Sequence, residues 1–416
     1  MAYYPRLEEI EGAYTKLHNI VEKSPLMHER GLSSTYGAEI LFKREDLQIT
    51  RSYKLRGAYN KISSLSKEEI KRGVVCASAG NHAQGVAYSC KALKIKGYIF
   101  MPETTPRQKL EQVKLFGGQY IETILAGDTF DAAFEEALFF SKKENRSFIH
   151  PFNDSKIIEG QATIGLEILE SCKEPIDYLF LPIGGGGVAS GVGSLFKMLS
   201  PSTKVIGVEP AGAASMKLSL ERGEVTELPV IDRFVDGAAV KKVGELTFKI
   251  CSRVLDETIA VPEGAVCSTI LEMYNKNAIV LEPAGALTIA ALELYAKQIK
   301  GKRVVALLSG GNNDIGRTEE IRERAQLYQG VKHYFIVRFP QRSGALLSFV
   351  RNVLGPNDDI THFSYSKKTN REKGPALIGV ELSNPKDLEP LINRMINHNF
   401  IYQYINDQQD LFELLV

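Results

Sequence analysis

Lys54 stands in the stretch ITRSYKLRGAYNKI, between Tyr53 and an Arg-Gly pair, just ahead of a helix-like run. A lysine in a loop is ordinarily a solvated charge. It becomes a base or nucleophile only where its surroundings lower its pKa. Three other places along the chain could supply such surroundings. PIGGGGVASGVGSLFKML, from Pro182, carries four successive glycines that follow an apolar strand and open into a helix. Converging backbone amides and the positive end of a helix suit a phosphate. The run is no P-loop, because no lysine precedes the helix. It is no dinucleotide fingerprint either, because Ser190 falls where the third glycine would be, counted from Gly185. A tight turn without a ligand is the plainer alternative, and four glycines in a row at a strand end weigh against it. CASAGNHAQGVAYSCKAL, from Cys76, sets Ser78, Gly80, Asn81 and His82 at a second helix start, suited to a carboxylate or to simple capping. His82 has no recognisable carboxylate partner and reads as structural. ALLSGGNNDIG, from Ala306, carries Ser309 at a third strand end, where a hydroxyl could bond a ring nitrogen or cap the next turn.

Each of these turns needs a strand before it and a helix after it. Between about residues 70 and 315 the chain alternates the two. Strands are expected at VVCASAG from Val74, GYIFMP from Gly97, QYIETI from Gln119 and SFIHPF from Ser147. Others are expected at YLFLPIGGGG from Tyr178, KVIGVEP from Lys204 and RVVALLSGG from Arg303. Segments such as TPRQKLEQVKLFG and DTFDAAFEEALFFSKK read as the helices between them. Near-continuous apolar strands separated by amphipathic helices imply a mostly parallel sheet covered on both faces, with ligands at the carboxyl ends of its strands. After Arg317 the pattern changes. TEEIRERAQLYQG reads as a charged helical connector. From His333, HYFIVRF, SGALLSFVRNVLG, ITHFSYSKK, PALIGVELS, PKDLEPLINRMINHN and FIYQYIN follow in the order βαββαβ, a ferredoxin-like sandwich. That unit shows no nucleophile beside a base and no anion cradle, so it reads as a module for binding or assembly. Residues 1–322 are expected to form a catalytic domain, 323–332 a linker and 333–416 the small domain.

Length and charge narrow the class. The 416 residues carry 51 basic and 50 acidic side chains, which gives no electrostatic case for nucleic acid or an anionic membrane. Five cysteines without CxxC pairs read as reduced thiols rather than a disulfide frame or zinc site. The N-terminal stretch lacks a signal-peptide core, and no apolar run is long enough to span a membrane. A cytoplasmic location is expected.

A reactive lysine, a phosphate cradle, a carboxylate-binding turn and a serine at a strand end together describe a site for pyridoxal phosphate and an amino acid. SYKLRGAYNKI, SAGNHAQGVA, PIGGGGVASG, VDGAAVKKVG, EPAGA and LLSGGN occur in that order. On these motifs, spread over nearly the whole length, the chain resembles the threonine dehydratase group of the tryptophan-synthase-β-like pyridoxal-phosphate enzymes. The resemblance implies a fold type II catalytic domain with two α/β subdomains and a C-terminal ACT-like regulatory domain. It implies threonine ammonia-lyase activity, L-threonine giving 2-oxobutanoate and ammonia by β-elimination, as the first step toward isoleucine. L-serine is a further candidate substrate, isoleucine an inhibiting effector, valine an opposing one, and a homotetramer the expected assembly. A serine or hydroxyaspartate dehydratase or racemase of the same fold, or a non-catalytic amino-acid sensor, is the alternative.

By the same resemblance, Lys54 is the Schiff-base lysine and then the base at Cα, and Ser78 with the amides of its turn holds the substrate carboxylate. Tyr53, where relatives usually carry phenylalanine, packs against the cofactor ring, and Asn81 bonds its phenolic oxygen. The main chain of Gly184, Gly185, Gly186 and Gly187, continuing into Val188, holds the phosphate. Ser309 faces the pyridine nitrogen. Serine racemases carry a second serine two residues before the asparagine; Ala79 stands there, and a methyl group cannot supply a proton from the opposite face. A neutral hydroxyl at position 309 implies a less stabilised carbanion, which favours prompt loss of a β-substituent. Relatives place a cation near the loop of Glu209, but Ala213 and Ser215 are poor companions, so no metal is expected. Glu282 is expected near the site without an assigned step.

Overall fold

The apolar runs become strands of two parallel sheets because they are buried on both faces and joined by helices. The computed structural model describes residues 3–365 and 372–415. It divides into two compact units between Gly316 and Arg317. In the first unit, β1 (Leu26–His28), β2 (Glu39–Arg44), β3 (Val74–Ala77), β4 (Gly97–Met101), β5 (Ile121–Leu125) and β6 (Ser147–Phe148) come first. They are followed by β7 (Tyr178–Pro182), β8 (Lys204–Pro210), β9 (Glu257–Val261) and β10 (Arg303–Leu308). One sheet has the order β5-β4-β3-β6, all parallel; the other has β1-β2-β10-β7-β8-β9, parallel except for β1. These are the two α/β subdomains of the fold type II arrangement. Val74, Cys76, Ile99, Val86 and Cys90 centre one core; Leu179, Leu181, Val192, Phe196 and Val305 centre the other.

Four strands depart from the sequence reading: β1, β2 and β9 are absent from it, and β6 is shorter than expected. SFIHPF keeps only Ser147–Phe148 in the sheet. His150 ends it by turning its Nδ1 to accept the backbone N–H of Phe152 (3.2 Å) and Asn153 (2.9 Å). The chain therefore leaves the sheet after Phe148. Conversely EILFKR, too charged to read as a buried run, is the second strand of the large sheet, with Lys43 fully buried. Lys43 is tolerated there because its amine donates to Glu167 Oε2 at 2.5 Å and to the Ser24 carbonyl at 2.6 Å.

The second unit contains β11 (Lys332–Pro340), β12 (Asp359–Tyr365), β13 (Lys373–Glu381) and β14 (Ile401–Tyr404), with helices Ala345–Asn352 and Leu388–Asn397. The antiparallel order β12-β13-β11-β14 is that of the ferredoxin-like sandwich. Phe335, Val337, Ile378 and Val380 of the sheet pack on Phe349, Leu391 and Met395 of the two helices. The end of ITHFSYSKK beyond Tyr365 lies outside the described residues. The expected boundary at 322 and linker at 323–332 fall across helix Thr318–Tyr328. That helix is tied into the second unit, since Glu323 accepts from Lys332 Nζ (2.7 Å) and the Tyr334 hydroxyl (2.6 Å).

Candidate active site

Because β10 lies between β2 and β7, the carboxyl ends of these three strands adjoin. The chain leaving β2 reaches Lys54 by way of a short pairing with the end of β10. Ser52 bridges Gly310, Tyr53 N–H donates to the Ser309 carbonyl (3.3 Å), and Gly311 N–H donates to the Arg51 carbonyl (2.9 Å). Lys54 then opens helix Lys54–Ser63. Gly85, on helix Asn81–Leu93, lets that helix approach closely: a Cβ there would lie 3.0 Å from Leu55 N and 3.1 Å from Lys54 C. A second anchor is buried behind the lysine. Arg56 grips Glu45 through Nε (2.9 Å) and Nη2 (2.8 Å), and Glu167 through Nη1 (2.7 Å) and Nη2 (2.9 Å).

The Lys54 amine donates to the Pro151 carbonyl at 3.4 Å and lies 5.5 Å from the centroid of the Tyr53 ring. Desolvation pulls its pKa down to about 8, although the Glu282 carboxylate opposes the shift. A lysine so placed is partly neutral near physiological pH. Tyr53 packs on the core of the large subdomain, and burial pushes its hydroxyl pKa up.

The tetraglycine bend follows β7 and leads into helix Gly187–Leu199, whose first turn no side chain caps. Gly186 takes φ +88°, a left-handed conformation that only glycine adopts freely. Thr247 Oγ1 donates to the Gly185 carbonyl (2.6 Å), anchoring the bend from its carbonyl side. The Phe152 ring lies against Gly185, so closely that a Cβ there would come within 2.2 Å of it. Val188, the next residue into the helix, is buried. An uncapped helix start reached through a glycine bend fits a phosphate, and a desolvated lysine amine fits the aldehyde carbon of the same cofactor.

Ser78 directly follows β3 and its Oγ accepts Gly80 N–H at 3.2 Å; helix Asn81–Leu93 again starts without a side-chain cap. Asn81 Nδ2 donates to Glu282 Oε1 at 2.6 Å, and Asn81 Oδ1 accepts from Asn312 at 2.7 Å. Ser309 is buried and donates to the Ala284 carbonyl at 3.1 Å. To donate to a ring nitrogen, that hydroxyl must turn away from Ala284. The sequence left Glu282 without a step; it joins the site directly. Burial, with Asp236 adding repulsion, pushes its pKa up to about 7 against the Asn81 hydrogen bond.

Asn312 escaped the sequence reading, although it lies three residues past Ser309 in the same motif. His82 behaves as read from sequence: buried, it bonds the Ile149 carbonyl through Nε2 at 2.8 Å, and desolvation brings its pKa to about 3. Glu209 accepts from the backbone N–H of Met216 (2.8 Å) and Lys217 (2.7 Å), which makes it a helix cap. Among the described residues no group of three or more His, Cys, Asp or Glu side chains is placed to hold a metal ion.

Residues 17–310 match the family model of pyridoxal-phosphate dependent enzymes, and residues 323–415 match that of the C-terminal regulatory domain of threonine dehydratase. The chain is 56% identical over 411 residues to the biosynthetic L-threonine dehydratase IlvA of Halalkalibacterium halodurans, covering 99% of each chain. Among solved structures it is similar to the processed threonine deaminase isoform 2 of Solanum lycopersicum, at 40% identity and a TM-score of 0.73 over 78% of this chain and 96% of that one. It is also similar to maize serine racemase, at 30% identity and a TM-score of 0.72 over 77% of this chain and 98% of that one. The lysine, glycine bend and asparagine turn stand in a chain of that ancestry: it belongs to the threonine dehydratase family of pyridoxal-phosphate-dependent enzymes.

Proposed function

We propose that the chain is a biosynthetic L-threonine dehydratase, converting L-threonine to 2-oxobutanoate and ammonia. Pyridoxal phosphate, when bound, supplies an electron sink for the pair left at Cα. The chain's own residues supply the rest. With the cofactor bound, the amides of Gly184 to Gly187 and Val188 would hold its phosphate, Asn81 would donate to its phenolic oxygen, Tyr53 would pack against its ring and Ser309 would hydrogen-bond its nitrogen. Ser78 and the uncapped start of helix Asn81–Leu93 take the substrate carboxylate. That fixes the Cα proton toward the Lys54 amine, which accepts it. The β-hydroxyl departs as water, and one water returns when the released amino-acid fragment hydrolyses to 2-oxo acid and ammonia.

The observation that carries this reading is the Lys54 amine, set beside the Pro151 carbonyl at the head of a helix that Gly85 holds in place, where desolvation lowers its pKa. Such an amine can both join an aldehyde and accept a proton near neutrality. Ala79 leaves the face opposite Lys54 without a side-chain proton donor, which favours dehydration over racemisation. Residues 333–416 are inferred to bind isoleucine as an inhibitor and valine as its antagonist. A cytoplasmic homotetramer is the inferred setting; the five cysteines, all free and buried, accord with a reducing compartment.

The test is an assay of the purified, cofactor-loaded protein with L-threonine and L-serine, with and without isoleucine. Release of 2-oxobutanoate from threonine, suppressed by isoleucine, is expected. D-serine formed from L-serine, without 2-oxo acid, would instead favour a racemase.

A further inference from the structure

Asn312 offers its side-chain nitrogen to three acceptors at once. These are Asn81 Oδ1 at 2.7 Å, the Thr50 backbone carbonyl at 2.9 Å and Gln84 Oε1 at 3.0 Å. The Thr50 contact is the informative one, because a peptide carbonyl can only accept a hydrogen bond. It therefore dictates which end of the Asn312 amide points inward. The NH2 group has two hydrogens: one faces Thr50, and the other lies between Asn81 at 2.7 Å and Gln84 at 3.0 Å, with Asn81 the shorter contact. The Asn81 atom opposite a donor must be its oxygen. The Asn81 NH2 group is then turned outward, one hydrogen going to Glu282 Oε1 at 2.6 Å and the other left for a partner in the site. Glu282, as an acceptor, closes the chain consistently. Were Asn81 flipped, its NH2 would meet the Asn312 NH2 at any pH, and its oxygen would be repelled by Glu282 whenever that carboxyl is ionised.

We propose that Asn312 is a positioning residue that locks the Asn81 amide in the one orientation able to donate to the cofactor's phenolic oxygen, using the Thr50 carbonyl as its fixed reference. This rests on the reading of Asn81 given above. The lock also spans three elements. Thr50 lies on the approach to Lys54, Asn81 and Gln84 on helix Asn81–Leu93, and Asn312 just past β10. One amide thereby holds the phenolic-oxygen donor in register with the lysine-bearing segment.

A double-mutant cycle on the full chain tests it, with pyridoxal phosphate titrated into cofactor-free protein and the absorbance of the bound cofactor recorded. Asn312→Ala is expected to weaken cofactor binding about tenfold and to shift the absorbance maximum in the direction Asn81→Ala shifts it. Asn312→Asp, which turns oxygens toward three acceptors, is expected to do worse. In the Asn81→Ala background the further effect of Asn312→Ala should fall below about twofold. An undiminished effect there would overturn the proposal, since Asn312 would then act by another route. If Asn81→Ala alone leaves affinity and absorbance unchanged, the assignment of Asn81 fails first, and the lock with it. Circular dichroism of each cofactor-free variant reports folding. Should the alanine variant not fold, Asn312→Ser, which keeps one donor for the Thr50 carbonyl, is expected to give the same coupling pattern.

Discussion

Desolvation separates Lys54 from the chain's solvated lysines, whose charge water keeps in place. Lys54→Ala is expected to lower 2-oxobutanoate formation by at least about 10³-fold while the far-ultraviolet dichroism stays native. Borohydride treatment of the loaded wild type, followed by peptide mapping, should mark Lys54 alone. Glu282 carries a second prediction at this scale. Its pKa rises to about 7 in the folded chain from an ordinary 4.5. Between those values the folded chain holds a proton that the unfolded chain releases. Its contribution to stability is therefore full below the ordinary value and is lost as pH climbs through about 7. In cofactor-free protein, Glu282→Gln should remove that dependence, so the variant gains thermal stability relative to wild type between pH 5 and pH 8. A constant difference across that range would refute the shift. Lys54, Ser78, Asn81, the four glycines and Ser309 could be singled out as candidates because each sits in a motif of distinctive composition. Asn312 and the role of Glu282 could not, because an asparagine or glutamate next to a glycine turn has no signature until its partners are known.

At the scale of elements, helix Lys54–Ser63 is held by the buried Arg56–Glu45–Glu167–Lys43 group on one side and by Gly85 on another. Two positive and two negative charges cancel there, so deleting one leaves an uncompensated charge away from water. Arg56→Met is expected to cost about 3–5 kcal/mol, read as a lowered thermal midpoint. Gly85→Ala places a methyl group at 3.0 Å from backbone that cannot swing aside, and the helix must shift. About 1–3 kcal/mol of stability and a clear fall in kcat are expected, with KM for threonine less affected. Equal activity of this variant would show that the lysine tolerates displacement. Neither device is visible in a hydropathy pattern. Lys43, Arg56 and Gly85 look like an ordinary surface lysine, surface arginine and helix glycine until the tertiary contacts appear.

For the whole molecule, the division between Gly316 and Arg317 sets where the regulatory unit is best removed. Helix Thr318–Tyr328 belongs with the second unit through Glu323, which accepts from Lys332 and Tyr334, so a cut inside it would leave a fragment of that unit on the shortened chain. A chain ending at Gly316 is expected to keep threonine turnover and lose its response to isoleucine. Retained inhibition would move the effector site into the first unit. An effector acts only by binding two states unequally, so isoleucine affinity of the full chain should also change when substrate is bound.

Sequence alone determined the local chemistry: a lysine before a helix, glycines after a strand, small polar residues at a helix start, and the βαββαβ order of the last unit. These are short-range properties, set by backbone freedom and side-chain type within a few positions. Tertiary structure alone decided that β10 lies between β2 and β7, which brings Ser309 beside the Lys54 segment. It also decided that Lys43 is buried, that Lys54 is desolvated, and that Asn81 meets Glu282 and Asn312. The physical reason is that desolvation, Coulomb coupling and hydrogen bonding depend on distance in space, and the partners here stand as far apart along the chain as Asn81 and Glu282.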